Sequence, residues 1–259
     1  MYTFISGATG GIGKAFCFEC AKRGYDLFLT GRSQDNLNVL QNQLKEYNVS
    51  VLTCACDLRS EGDRQSLLDY AKINGVTFER LIMVAGIDTQ MAFESYTLDK
   101  VQSQIRVNVE STVCLAHQLL SVTADGGEVL VISSMSGVSP MPYFALYSAT
   151  KAMLTNFFTS LHYELKARKI KVTTVLPGGV YTRPDVIADI KGQGVWGRLS
   201  AKTPEFIAQK SLKAVRKNKL TYVPGFFNKL LKFLMKIAPK RIVLSFIAKR
   251  WQKQTKDAF

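Results

Sequence analysis

The stretch that decides the fold is Thr3-Phe4-Ile5-Ser6-Gly7-Ala8-Thr9-Gly10-Gly11-Ile12-Gly13. A short β-forming run, TFIS, leads directly into a glycine-rich turn, and an amphipathic helical pattern follows from Ile12 to Arg23. Glycine lets the chain turn tightly and lets a ligand approach the backbone, while a helix N-terminus presents N–H donors and the positive end of a dipole. Together they suit a pyrophosphate. A glycine-rich string is weak evidence alone, but its seat between a first strand and a first helix makes it a dinucleotide-binding turn. The spacing is G-x-x-x-G-x-G rather than G-x-G-x-x-G.

The pattern repeats outward from this turn. Strands are predicted at Tyr2 to Ser6, Asp26 to Thr30, Val51 to Cys56, Leu81 to Ala85, Glu128 to Ser133, Lys171 to Leu176 and Leu220 to Val223. Amphipathic helices are predicted at Ile12 to Arg23, Gln34 to Tyr47, Leu98 to Leu120 and Tyr147 to Arg168. Nearly continuous apolar strands alternating with helices indicate a parallel sheet covered on both faces. Right-handed crossovers then give an α/β fold, a single-domain, Rossmann-like, doubly wound sheet of about seven strands flanked by helices. No repeat or linker interrupts residues 1–225, and residues 226–259 read as a basic amphipathic helical extension.

With 259 residues and 47% hydrophobic side chains, one large core can form. The glycine turn begins at Gly7, so no secretory signal is expected. The longest apolar runs, such as Ile82 to Gly86, fall far short of the roughly 18 residues a spanning helix needs. Five cysteines include Cys17 and Cys20 one helical turn apart, but no second cysteine pair or histidine cluster completes a metal site. Buried helix packing by reduced thiols in a cytoplasmic protein is the reading preferred over redox or metal chemistry. The net charge of +14 is unevenly placed: residues 1–204 carry +2 and residues 205–259 carry +12. That asymmetry asks for a local explanation and is not a property of the fold.

After the second strand the chain reads Thr30-Gly31-Arg32-Ser33, where a site for a free ribose 2′-hydroxyl offers Asp or Glu. A guanidinium here suits a 2′-phosphate through forked, charge-assisted hydrogen bonds, with Lys14 in support. NADP(H) is therefore expected in preference to NAD(H), the alternative being a solvated arginine.

The chemistry sits in VISSMSGVSPMPYFALYSATKA. Tyr147 and Lys151, four residues apart at a helix start, project from one face. A nearby ammonium favours the phenolate of a tyrosine whose ordinary pKa is about 10, making it an acid in reduction and a base in oxidation. Ser134 ends the preceding strand, where its hydroxyl can hold a substrate oxygen.

With these motifs in order, the chain resembles the short-chain dehydrogenase/reductase family over residues 1 to about 225. Gly7, Gly11 and Gly13 match its nucleotide-binding glycines, with Thr9, Gly10 and Ile12 in the same turn. Asp57-Leu58 matches the pair that contacts adenine, and Asn108 the helix asparagine that positions a proton-relay water. Ser134, Tyr147 and Lys151 match the catalytic triplet; Pro177-Gly178, Val180 and Thr182 match the segment cradling the nicotinamide. The resemblance implies that Tyr147 donates the proton, Ser134 orients the carbonyl, and Lys151 tunes Tyr147 and binds the nicotinamide ribose. It also implies a homodimer or homotetramer paired through long helices. One motif departs: Met83-Val84-Ala85-Gly86 stands where the family has Asn-Asn-Ala-Gly. Ala85 and Gly86 still line the cofactor, and hydrophobic packing is expected to replace the two amides.

Between Thr182 and Pro204, Val186, Ile187, Ile190, Val195, Trp196 and Leu199 occupy the segment that forms a mobile lid in the family. With Met135, Met141, Pro142 and Tyr143 they resemble a hydrophobic substrate pocket; ordinary helix packing is the other reading. From Phe226, the apolar residues Phe227, Leu230, Leu231, Leu234 and Ile237 recur at helical spacing beside Lys229, Lys232 and Lys236, and after Pro239 a second pattern runs to Trp251. A basic amphipathic pair of this kind, residues 226–253, suits an anionic membrane surface. Packing on the chain's own body is the alternative, and the large apolar half disfavours nucleic acid. Three functions remain open: an NADPH-dependent reductase of a lipid-like ketone, a 3-oxoacyl thioester reductase docking an acidic carrier protein, and a silent dinucleotide sensor or scaffold. Ser134, Tyr147, Lys151 and Asn108 together argue against the last.

Overall fold

Parallel strands need long crossovers, and each apolar run of this chain is followed by a stretch able to supply one. The computed structural model describes residues 1–192, 194–252 and 256–257. Its strands are β1 (Tyr2–Ser6), β2 (Asp26–Gly31), β3 (Val51–Ala55), β4 (Phe78–Met83), β5 (Thr89–Gln90), β6 (Thr123–Ile132), β7 (Lys171–Val175), β8 (Thr221–Tyr222) and β9 (Lys256–Asp257). Its α-helices are α1 (Gly11–Ala21), α2 (Gln34–Leu44), α3 (Glu61–Ile73), α4 (Leu98–Ile105), α5 (Ser111–Leu120), α6 (Ala145–Glu164), α7 (Pro184–Gly192), α8 (Gly194–Ser200), α9 (Pro204–Arg216), α10 (Phe226–Ile237) and α11 (Lys240–Trp251).

Seven strands form one sheet in the order β3-β2-β1-β4-β6-β7-β8, with parallel pairing throughout. β5 and β9 form a separate antiparallel ribbon. The register sets Ile5 beside Leu29 and Ile82, and Ile82 beside Leu130. On one face Phe16, Leu37 and Leu212, from α1, α2 and α9, close over these residues. On the other, Leu67, Leu115 and Phe158, from α3, α5 and α6, cover Phe4, Phe28 and Phe78. Those three rings pack with centroids 5.8–6.1 Å apart, and each buried ring contributes about 1.5–3 kcal/mol. Arg80 is also buried, bonded to Glu128 Oε2 at 2.7 Å and Thr3 Oγ1 at 3.1 Å, which compensates its desolvation. Cys17 and Cys20 lie wholly buried in the α1 core. Burial pushes the Cys20 thiol up to about 12 and Cys17 well above its ordinary value, which leaves both inert as nucleophiles.

Strand order reverses direction between β1 and β4, so a crevice opens beyond their C-terminal ends. Two expectations change here. The single helix predicted over Leu98 to Leu120 is α4 and α5 separated by a π-helical turn, Arg106–Glu110, which carries Asn108. The apolar period ran through the whole stretch because one widened turn shifts a helix face without breaking it. At Met83-Val84, packing is only half of what replaces the amides. Met83 is buried, but Ser6 Oγ also accepts the N–H of Val84 at 3.1 Å and of Ala85 at 3.2 Å.

Candidate active site

The turn after β1 is built for an anion. Gly7 has φ +64°, and a Cβ at Gly13 would lie 2.0 Å from the Gly7 carbonyl oxygen, so no side chain fits there. A Cβ at Gly11 would lie 2.9 Å from the Thr182 side chain. Helices α2, α3 and α9 are capped by Ser33, Ser60 and Thr203, whereas α1 begins at Gly10 with no side-chain cap. Its first N–H groups therefore face the crevice with donors to spare.

A cavity of about 1280 Å³ runs from this turn to the C-terminal helices. Of the residues expected to hold a dinucleotide, Gly7, Thr9, Gly10, Gly11, Ile12, Gly13, Arg32, Asp57, Leu58, Ala85, Gly86, Gly178, Val180 and Thr182 line it. Pro177 lines an adjoining chamber of about 140 Å³ with Ser134, Tyr147 and Lys151. Lys14 is absent from both linings. At the far end Arg32 is joined by Arg59, which the sequence reading passed over. Arg59 grips Asp57 through Nε at 3.0 Å and Nη2 at 2.6 Å, and these bonds hold the carboxyl below its ordinary range. Buried Arg64 donates to the Leu58 carbonyl at 2.6 Å and pairs with Glu110, tying the adenine-side loop to the π-turn. These residues fit a nicotinamide dinucleotide, which when bound would supply or accept a hydride.

The side chains expected to carry the chemistry come from three elements. Ser134 follows β6 and its Oγ accepts the Ser136 N–H at 3.0 Å. Tyr147 lies in the first turn of α6 and lines the smaller chamber with Ser134. Lys151, one turn on, is buried and donates to the Ile132 carbonyl at 3.0 Å. Its Nζ is 5.6 Å from the Tyr147 ring centre. Gly137 brings the preceding loop against α6, since a Cβ there would lie 2.7 Å from the Lys151 carbonyl carbon. Asn108 is fully buried; its Oδ1 accepts the Ile87 N–H at 2.8 Å, and Nδ2 donates to the Ile87 carbonyl at 2.9 Å and Thr150 Oγ1 at 3.1 Å. That amide locks the loop after β4 to α6.

Charge in this chamber is governed by burial. Desolvation pulls Lys151 down to about 8, opposed by the Asp88 carboxylate. It pushes the Tyr147 hydroxyl well above the usual phenol range; Asp88 adds to the rise and the Ser134 bond opposes it. The ammonium effect expected from the four-residue spacing is thus outweighed by removal from water.

On the substrate side, Met135 and Met141 line the cavity, but Tyr143 does not. Tyr143 takes a left-handed backbone conformation, φ 62°, and Phe144 occupies the cavity wall in its place. Phe144 stacks on Tyr147 with ring centroids 4.4 Å apart, and Trp251 of α11 stacks on Phe144 at 6.4 Å. Val186, Ile190 and Trp196 of α7 and α8 also line the cavity, whereas Ile187, Val195 and Leu199 do not. The roof is the C-terminal extension: Phe227, Leu231 and Met235 of α10 and Val243 and Ile247 of α11 face inward. Buried Asn228 pins it, donating to the carbonyls of Ser200 at 2.8 Å and Pro224 at 2.9 Å. Lys253, the last residue of the basic stretch, lies outside the described residues.

A family profile described as short chain dehydrogenase matches residues 2–187. The chain belongs to the short-chain dehydrogenase family. It has that family's parallel sheet and its motifs in order. It is similar to a very-long-chain 3-oxoacyl-CoA reductase of Mus musculus, 35% identical over 70% of this chain and 60% of that protein. It is also similar to a 7β-hydroxysteroid dehydrogenase of Collinsella aerofaciens, 28% identical over 87% and 86% of the two chains. A solved 7β-hydroxysteroid dehydrogenase superimposes with a TM-score of 0.84 at 25% identity, covering 95% of this chain and 96% of that one. The chain thus spans about three fifths of the length of the murine reductase.

Proposed function

We propose that this dehydrogenase reduces a hydrophobic, lipid-like ketone with NADPH, working in the cytoplasm at the surface of an anionic membrane. The observation that carries the substrate class is the cavity itself. Its inner wall holds Ser134 and Tyr147, and its roof is aliphatic and aromatic, closed by Phe227, Leu231 and Met235. Each methylene taken from water into such a lining contributes about 0.8 kcal/mol. The names of the relatives, an acyl-CoA reductase and a hydroxysteroid dehydrogenase, fit the same substrate class.

In this reading Ser134 holds the ketone oxygen and Tyr147 gives it a proton. Lys151 binds the nicotinamide ribose and, while charged, supports the phenolate left behind. Asn108 sets the loop and the route by which the proton is replaced. Arg32, with Arg59, meets the 2′-phosphate that distinguishes NADPH. Exposed Ile105 on α4 and Met153 on α6 support a homodimer or homotetramer paired through those helices.

The membrane reading rests on the outer face of the roof. No described helix is long and apolar enough to cross a bilayer. Yet Phe226, Phe233 and Ile237, none of them lining the cavity, are exposed at 58–82%, beside exposed Lys229, Lys236, Lys240 and Arg241. Apolar side chains among cations suit an anionic interface. A 3-oxoacyl thioester on an acidic carrier protein is the second reading, favoured by the same basic face. Screening free ketones, 3-oxoacyl thioesters and carrier-bound thioesters by NADPH consumption decides between them. Turnover of free apolar ketones supports the first, turnover confined to carrier-bound substrates the second, and no turnover of any ketone overturns both. Flotation with anionic vesicles tests the surface: salt-sensitive binding lost in a Phe226→Ser, Phe233→Ser, Ile237→Ser variant supports it.

A further inference from the structure

The residue in the reaction chamber that no motif explains is Asp88. It follows β4 and lines both the large cavity and the smaller chamber that holds Ser134, Tyr147 and Lys151. Its place is fixed from both sides. Immediately before it, Ile87 has its N–H and carbonyl both taken by the Asn108 amide. Immediately after it, buried Thr89 and Gln90 form β5, held by β9. A loop clamped in this way presents its carboxylate to the chamber as a built feature. Among the described residues Asp88 forms no hydrogen bond or ion pair, so its charge is not spent on a structural partner.

We propose that Asp88 is a positioning residue for the reaction, a fixed negative charge that keeps the proton on Tyr147 and the charge on Lys151. This rests on the ketone-reduction reading above. Reduction consumes a proton held by Tyr147, and a buried lysine loses its charge unless an anion stands near it. Asp88 supplies that anion, and both side chains are held more firmly protonated because of it. The other charged groups around the loop come from separate elements: Asp99 and Lys100 on α4, Arg183 before α7 and Arg250 on α11, all on the large cavity. None of these four lines the smaller chamber, so Asp88 is the acidic group set among the reacting side chains there.

Asp88→Asn keeps the size and removes the charge. In the intact chain, the alkaline limb of the ketone-reduction profile then moves down by about one pH unit. The second readout needs no substrate: the pH dependence of Lys151 acetylation by acetic anhydride, in which the neutral amine takes the acetyl group and acetate leaves, followed by peptide mass spectrometry. Its midpoint falls from about 8 by about one unit in Asp88→Asn, and Asp88→Glu restores it. Unmoved midpoints in both measurements, or a change confined to KM, overturn the assignment. If the parent chain turns over no ketone, the ketone reading fails, while the Lys151 titration still decides the role of Asp88.

Discussion

Helix α6 and the α10–α11 pair wall the same cavity from opposite sides and are held in opposite ways. The N-terminal half of α6 is tied to the sheet and to the π-turn through polar bonds. Lys151 reaches the Ile132 carbonyl, Ser133 Oγ donates to the Lys151 carbonyl at 2.7 Å, and Thr150 is shared with Asn108. The C-terminal pair is pinned by buried Asn228 and by Lys232 Nζ, which donates to Thr221 Oγ1 at 3.5 Å, and rests besides on apolar contact such as Trp196 against Phe227, with centroids 5.4 Å apart. The difference follows from what each must do. Proton transfer demands that oxygen and nitrogen atoms be held to a fraction of an ångström, which hydrogen bonds provide. An alkyl chain demands area and shape, which apolar side chains provide with latitude for movement.

The contrast is sharpened by substitutions on either side. Tyr147→Phe, on the polar wall, should lower ketone turnover by about 10²–10⁴-fold. Fluorescence titration should find dinucleotide binding intact, because the phenol is needed for the proton and not for the turn at Gly7 to Gly13. Arg32→Ala comes next: loss of charged hydrogen bonds worth about 1.5–3 kcal/mol should weaken NADPH by about 10–150-fold and leave NADH nearly unchanged. Equal weakening of both would remove the 2′-phosphate role. Trp251→Ala, at the far end of the ring stack through Phe144, should have the smallest effect. Losing an aromatic contact worth about 0.5–1.5 kcal/mol raises KM for an apolar ketone a few-fold with kcat held. A large fall in kcat instead would mean that α11 positions Tyr147 and is part of the catalytic wall.

The sheet and the gathering of Ser134, Tyr147 and Lys151 in one chamber were legible because each rests on local spacing. TFIS before the glycines, and Tyr147 four residues before Lys151, carry their meaning within one turn of chain. Ser134 was readable because it follows closely on a strand. What escaped the sequence depends on distant elements meeting. Nothing in Ser6 announces that its hydroxyl will cap Val84 and Ala85, and Arg59 gains its place only once β2 and β3 pair. Tyr143 and Phe144 were equivalent aromatic residues until the left-handed turn chose Phe144 for the cavity. The extension was read correctly as amphipathic, but its apolar stripe serves two faces. Phe227 and Leu231 look inward, whereas Leu230 and Ile237 are exposed. Helical spacing identifies a stripe; it does not say which part of the stripe meets the body.

The central claim is that the first 225 residues run the chemistry while the C-terminal pair selects the substrate. Its most direct test is kcat/KM along a series of ketones of increasing alkyl length, for the parent chain and for Leu231→Ala, Met235→Ala. The parent should gain roughly four-fold per added methylene until the roof is filled, following about 0.8 kcal/mol per group. The variant should show a shallower slope with the same turnover for the shortest ketone. Identical slopes in the two proteins, or a loss of turnover equal at every chain length, would contradict the account.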